Sequence, residues 1–256
     1  MPAISAWRGF PTAISITCAG IKPTSGGLPG YLRVDSVHQG DLDGVKGLYL
    51  INAVDEVTQF QCVFAVARIS EQYLLPMLAQ LQAVFPFVIR GFHSDNGSEY
   101  INHPVAQLLE KLRIEQTKSR SRQTNDNALV ESKNGSTVRK HLGYSHIPGR
   151  FADAVNAFTR DVLSPYINFH RPCYFPIDHI DAKGRLRKHY RYADMMTPYD
   201  KLKSLPQAHA PLKPGIRFEE LDAIAFQCSD NEAAFHLQQA KACLFQLINQ
   251  SQSSAA

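Results

Sequence analysis

Residues 31–66 and residues 70–84 obey different periods, and that switch limits what the chain can fold into more than any other feature. Three runs rich in β-branched and apolar residues, 31–37, 48–54 and 60–66, read as strands. Between them lie a polar turn at 38–46, containing Asp43-Gly44, and a tight turn at 55–59. Connections this short make an antiparallel meander. After Ser70, the apolar residues Tyr73, Leu74, Met77, Leu78, Leu81 and Val84 recur at helical spacing. Pro76 conflicts with a helix beginning at 71, so a start near 72–75, or a kink, is expected.

The alternation continues down the chain. Residues 87–92 read as a short strand running into His93-Ser94-Asp95-Asn96-Gly97. His103 and Pro104 open a helix through Lys111, and 114–117 is a last short strand. A polar, basic stretch at 118–126 precedes a helix from Ala128 to about His141, capped by Asn125 or Asp126. A further amphipathic helix at 152–168 turns Val155, Phe158, Val162 and Tyr166 inward. Residues 1–30 lack periodicity and end in Pro-Thr-Ser-Gly-Gly-Leu-Pro-Gly, a linker composition. Beyond Arg171, Pro172, Pro176 and Pro198 suggest an extended segment over the core. Asp230 then caps a helix to about Asn249, with Phe235, Leu244, Phe245 and Ile248 apolar. The expected organisation is a poorly structured tail at 1–30, a core at 31–171 and an extension at 172–256.

Within that frame three acids occupy distinctive settings. Asp35 lies in Tyr-Leu-Arg-Val-Asp-Ser-Val, Asp95 in His-Ser-Asp-Asn-Gly-Ser-Glu-Tyr, and Glu131 in Asn-Ala-Leu-Val-Glu-Ser-Lys-Asn-Gly. Singly, each has an ordinary explanation: a hydrogen-bonded strand carboxylate, an Asn-Gly turn, a solvated helix face. Together they resemble the catalytic core of the DDE transposase and retroviral-integrase superfamily, closest to bacterial insertion-sequence transposases. The 35 residues between Asp95 and Glu131, and the closing Tyr-Ile-Asn-Phe-His-Arg-Pro at 166–172, carry the same likeness.

The element order matches an α/β, ribonuclease-H-like fold: a five-stranded mixed sheet of order 3-2-1-4-5 flanked by helices, with a mostly helical or extended C-terminal extension. Its first and fourth strands are adjacent and parallel, joined by a right-handed crossover. That topology brings Asp35 beside Asp95, with Glu131 pointing at both from the first turn of its helix. Three carboxylates about 4 Å apart repel by roughly 4 kcal/mol per pair at an effective dielectric near 20. Such a cluster needs counter-charge, and oxygen-only ligands favour Mg²⁺ or Mn²⁺, in a pair of ions that attracts a phosphate.

The resemblance therefore implies a Mg²⁺-dependent polynucleotidyl transferase that cleaves and joins DNA by in-line displacement, with Asp35, Asp95 and Glu131 as catalytic metal ligands. It also implies DNA partners (transposon ends and target) and a homo-oligomer assembled on paired ends. Lys118, Arg120, Arg122, Lys133, Asn134, Arg139 and Lys140 are candidate DNA contacts. His93 is expected to make a structural hydrogen bond or to help orient the site. Asp55 reads as a turn residue, and Glu99 as helix-start electrostatics. Gly135, on the Glu131 face with Asn134 and Val138, suits a close approach by DNA or the sheet.

Composition sets the bounds. The net charge is +4 and the pI about 8.8, but the charge is unevenly spread. Residues 183–191 hold Lys183, Arg185, Arg187, Lys188 and Arg191 with no acid, favouring a surface that tracks phosphates. Five cysteines without a Cys-x-x-Cys pair read as reduced thiols of a cytoplasmic protein, and no apolar run approaches a membrane span. One departure from the family matters: the 30 residues before the first strand show no helix-turn-helix signature. A truncated, non-catalytic DNA-binding remnant that interferes with a full-length enzyme is thus a second reading, and a general metal-dependent nuclease a third.

Overall fold

A computed structural model describes residues 25–94, 109, 114–118 and 127–253, with the side chains of residues 71, 75, 79, 80, 83, 118 and 251–253 excepted. The N-terminal tail to residue 24, Asp95, the helix expected at 103–111 apart from Leu109, and Arg120 and Arg122 lie outside the described residues.

The central sheet has five strands: β1 Tyr31–His38, β4 Tyr49–Asp55, β5 Gln61–Val66, β6 Gly91–Ser94 and β7 Glu115–Lys118. Their order is β5-β4-β1-β6-β7. The first three pair antiparallel and the last two are parallel to β1, a mixed sheet in the ribonuclease-H-like order. Inside the 38–46 turn, Asp41–Leu42 (β2) and Val45–Lys46 (β3) add a small hairpin. Asp43 and Gly44 close it, both in the left-handed region that a tight hairpin turn requires.

Strand alternation divides the core between the two faces. Leu32, Val34, Ile51, Ala53, Cys62 and Phe64 point one way and pack on Leu74, Met77, Leu78 and Leu81 of α1 Glu71–Val84. Leu50, Val63 and Ala65 point the other way, onto Val138 and Leu142 of the helical run 128–142 (α2) and Val155, Phe158 and Leu163 of the run 149–170 (α3). Chain beyond 172 reaches both faces. Tyr199 and Leu202 of α4 Pro198–Lys203 and Phe218 and Leu221 of α5 Phe218–Ala225 join the first core. Leu237, Leu244 and Ile248 of α6 Asp230–Ser253 join the second. Each fully buried side chain of this kind contributes about 1.5–3 kcal/mol.

Several expectations need correction. α1 begins at Glu71 with Pro76 inside it. Both Pro76 and Gln72, whose carbonyl loses its amide partner there, are exposed, so the break in the helix ladder falls on its solvent side. The strand expected at 87–92 starts only at Gly91, because the C-terminal segment captures its first half: Phe87 bridges Leu212, and Val88 N donates to Pro211 O. In α3 the most deeply buried apolar residues after Phe158 are Leu163 and Ile167, each one position beyond Val162 and Tyr166, which pack partly buried against the same core as expected. The widened π-helical turns Thr159–Leu163 and Tyr166–His170 explain the one-residue slip, since each holds an extra residue per turn. Ser229, not Asp230, caps α6 through reciprocal bonds with Glu232. Phe235 on that helix is exposed.

β5 is a sheet edge, and two asparagine side chains of α3 close it. Asn168 accepts from Gln61 N and donates to Gln61 O, both at 2.8 Å. Asn156 does the same for Ala65, at 2.7 and 2.8 Å. Each side-chain amide copies a neighbouring strand's peptide, so the edge offers no open ladder there.

Two buried titratable groups oppose each other in pH dependence. Burial pushes Asp55 up to about 6, against hydrogen bonds from Thr58 N, Gly30 N, Thr58 Oγ1 and Val57 N that pull it down. The folded state therefore holds this proton more tightly, and stability falls as pH rises from about 4 to 6. Burial, aided by Arg171, Lys241 and Lys140, pulls His141 down to about 4, so its contribution is lost as pH falls through that range. A urea-stability profile of the native protein is expected to be nearly flat from pH 4 to 6. His141→Phe should expose the Asp55 effect as a loss on the order of 3 kcal/mol between those limits. An equally flat profile for the variant would refute this account.

Candidate active site

Asp35 sits on β1 with Arg33 and Val37 facing α2, and its register partner on β4 is Asn52. Its carboxylate is half-buried: Oδ1 accepts from Ser36 N at 2.8 Å and Oδ2 from Asn134 Nδ2 at 2.6 Å. Asn134 belongs to α2, three residues after Glu131. Four residues before Glu131, Asn127 donates through Nδ2 to Val34 O at 3.2 Å. On a helix, positions 127, 131 and 134 fall within about 60° of one another. Two side-chain bonds to β1 thus bracket Glu131 and place it on the helix face that docks on β1 near Asp35, with its side chain exposed. Asn127 takes the N-cap position, one residue later than the sequence suggested, but its side chain is engaged with β1 rather than capping.

Behind Asp35 runs a chain of buried side chains across the sheet. Arg171 donates to Thr137 Oγ1 at 3.4 Å, and Thr137 Oγ1 to Gln61 Oε1 at 3.1 Å. Gln61 Nε2 donates to Asn52 Oδ1 at 2.8 Å, and Asn52 Nδ2 to Asn134 Oδ1 at 2.9 Å. Asn134 then donates to Asp35. Every donor points the same way, toward the carboxylate, so each bond polarises the next and fixes the Asp35 rotamer. Asn52, Gln61 and Thr137 were missed in the sequence reading. The available signal was an asparagine at an inward position of an apolar strand, Leu-Ile-Asn-Ala-Val.

The third acid lies next to this geometry in sequence. Ser94, the last described residue of β6, is in parallel register with Val34, and Asp95 follows Ser94 while Asp35 follows Val34. Asp95 itself lies outside the described residues. Two residues before it, His93 is buried, with Nδ1 and Thr117 Oγ1 2.8 Å apart, which is the structural bond expected of it. Among the described residues no three His, Cys, Asp or Glu side chains cluster to hold a metal. The donor chemistry of Asp35 and Glu131 nevertheless fits a hard divalent cation: carboxylate oxygens, one carboxylate oriented by a side-chain amide, on two elements docked together.

The expected DNA contacts divide. Asn134 is buried and both ends of its amide are engaged, so it is a structural member of the site. Arg139 bonds Gln39 Oε1 at 2.6 Å, Gly143 O and His38 O, and lies 4.7 Å from the Tyr144 ring centre, tying α2 to the loop after β1. Lys133 reaches Cys173 Sγ at 3.0 Å, and Lys140 is exposed. Lys118 ends β7. Gly135 is exposed and a Cβ there would meet nothing within 4 Å, so no approach by the sheet accounts for it.

Among the described residues no helix is long and apolar enough to cross a membrane. Residues 30–124 match the family model of the integrase core domain. The uncharacterized protein y4rM of Sinorhizobium fredii is 30% identical over 164 residues, 64% of this chain and 47% of that protein. The chain thus spans about half the length of that relative. The catalytic core domain of BIV integrase is similar to it at 15% identity and a TM-score of 0.42, over 56% of this chain and 85% of that one. Over residues 30–124, then, this chain is similar to the integrase core domain family.

Proposed function

We propose that the chain is the catalytic part of a transposase: a metal-dependent polynucleotidyl transferase that cuts DNA at transposon ends and joins the cut strand to a target. Asp35, Asp95 and Glu131 are its metal ligands. The observation that supports the reading best is the bracketing of Glu131 by Asn127 and Asn134, both bonded to the β1 segment that carries Asp35.

Bound Mg²⁺ or Mn²⁺, as a pair of ions, would supply activation of a water or 3′-hydroxyl and charge stabilisation at the leaving 3′-oxygen in an in-line displacement at phosphorus. The protein's part is orientation. Asp35 is held by Ser36 N and Asn134, and its rotamer is set before substrate arrives. Glu131 stands exposed on the first turn of α2, able to face incoming DNA. No protein nucleophile is required. Lys118, Arg120, Arg122, Lys133 and Lys140 are assigned to phosphates flanking the cut, and two or more copies would act together on paired ends. A cytoplasmic location follows from the substrate.

The test supplies the purified chain with a pre-nicked duplex carrying the terminal sequence of the surrounding element, plus Mn²⁺ or Mg²⁺. Joined products that vanish on chelation are expected. DNA binding without joining under either metal would sink the proposal and favour a non-catalytic DNA-binding remnant.

A further inference from the structure

Residues 177–189 form a two-stranded ribbon that stands apart from both cores. Among the described residues its strands, β8 Ile177–Ile180 and β9 Leu186–His189, pair only with each other, and all eight strand residues are exposed. A lone two-stranded hairpin in water is marginal, so its shape needs local support. Asp181 gives it: Oδ1 accepts from Lys183 N and Arg185 N, both at 2.9 Å, and Gly184 takes a positive φ to close the turn. Asp181 is thereby committed to the turn, with Arg187 Nε at 3.5 Å, and Asp194 is committed to Arg191. Among the described residues no acidic side chain lies within ion-pair distance of Lys183, Arg185 or Lys188.

The base of the ribbon is fixed to the helix that carries Glu131. Arg171 donates to Ser136 O at 3.0 Å, and Lys133 Nζ lies 3.0 Å from Cys173 Sγ. A cationic ribbon is therefore tethered through residues 171 and 173 to the helix that carries Glu131, and is pre-shaped by its own turn.

We infer that this ribbon is a docking arm for the sugar–phosphate backbone of duplex DNA flanking the cleavage point, with Lys183, Arg185 and Lys188 neutralising phosphates. The inference rests on the strand-transfer reading and adds a contact surface about 50 residues past the last acid. Charge complementarity selects this occupant: the segment 183–191 carries five Lys and Arg and no acid. It also contains no Asn or Gln of the kind that reads adenine edges, which suits a contact indifferent to sequence.

The experiment measures anisotropy of a fluorescein-labelled duplex of arbitrary sequence from roughly 50 to 200 mM salt. It compares the native chain with Lys183→Ala/Arg185→Ala/Lys188→Ala. The triple variant should bind about a hundredfold more weakly near 0.1 M salt, with a salt slope shallower by about 2.7, or roughly 0.9 per lost cation. Its thermal unfolding should match the native chain, because the altered side chains are exposed and unpacked. A triple variant with native affinity and slope overturns the inference, and if the native chain still joins strands, the functional reading survives. A native chain that binds no DNA overturns both. Loss of self-association in the triple variant, with DNA binding unchanged, would reassign the ribbon to contact between copies and also overturn the inference.

Discussion

Glu131→Gln is expected to abolish metal-dependent cleavage and joining, by about 10³-fold or more, while leaving stability within about 0.5 kcal/mol of native. The two effects separate because Glu131 is exposed: its carboxylate supports no packing and lies outside the buried amide chain. The amide of Gln keeps the length and the helix propensity but removes the negative charge that a divalent cation requires. Product formation on a pre-nicked duplex reads the first effect and urea unfolding the second. Full activity in the variant would remove Glu131 from the ligand set, and a large loss of stability would show that the residue holds the fold instead.

Asn52→Leu should do the reverse, unfolding the site from behind. Leu keeps the branched shape of Asn52 with bulkier methyl groups in place of the amide oxygen and nitrogen, so no cavity forms. It leaves Asn134 Oδ1 without the donor it has at 2.9 Å and Gln61 Nε2 without the acceptor it has at 2.8 Å. Each buried group left unpaired costs about 1–3 kcal/mol, which puts the loss at roughly 2–6 kcal/mol by urea unfolding. What remains folded should need more metal, because Asn134 can then rotate away from Asp35. The Mn²⁺ concentration for half-maximal joining is expected to rise about tenfold or more. A variant with native stability and native metal demand would show that the amide chain does not orient Asp35.

The two variants probe parts of the site that were unequally legible. The acids were visible because each sits in a setting that local rules interpret: Asp35 in a strand with period two, Glu131 on the first turn of a helix that ends the basic stretch. The sheet order followed from the element order, since short turns force antiparallel neighbours and a helix between strands forces a parallel crossover. Asn134 shared the Glu131 face by helical spacing, yet sequence assigned it to DNA. Nothing local says whether an asparagine on a helix looks outward or inward.

Local pattern thus determined the period of each segment, the meander, the crossover and the positions of Asp35 and Glu131 on strand and helix. The tertiary structure alone decided the rest. The partners Asn52 and Asn134 are 82 residues apart, and Gln61 and Asn168 are 107 apart. Such pairs exist only once α2 and α3 have docked on the sheet, and docking is settled by apolar packing on positions other than those that carry the polar bonds. The π-helical turns of α3 moved its deepest positions by one residue for the same reason: the sheet, not the helix's own period, put Leu163 and Ile167 deeper than Val162 and Tyr166.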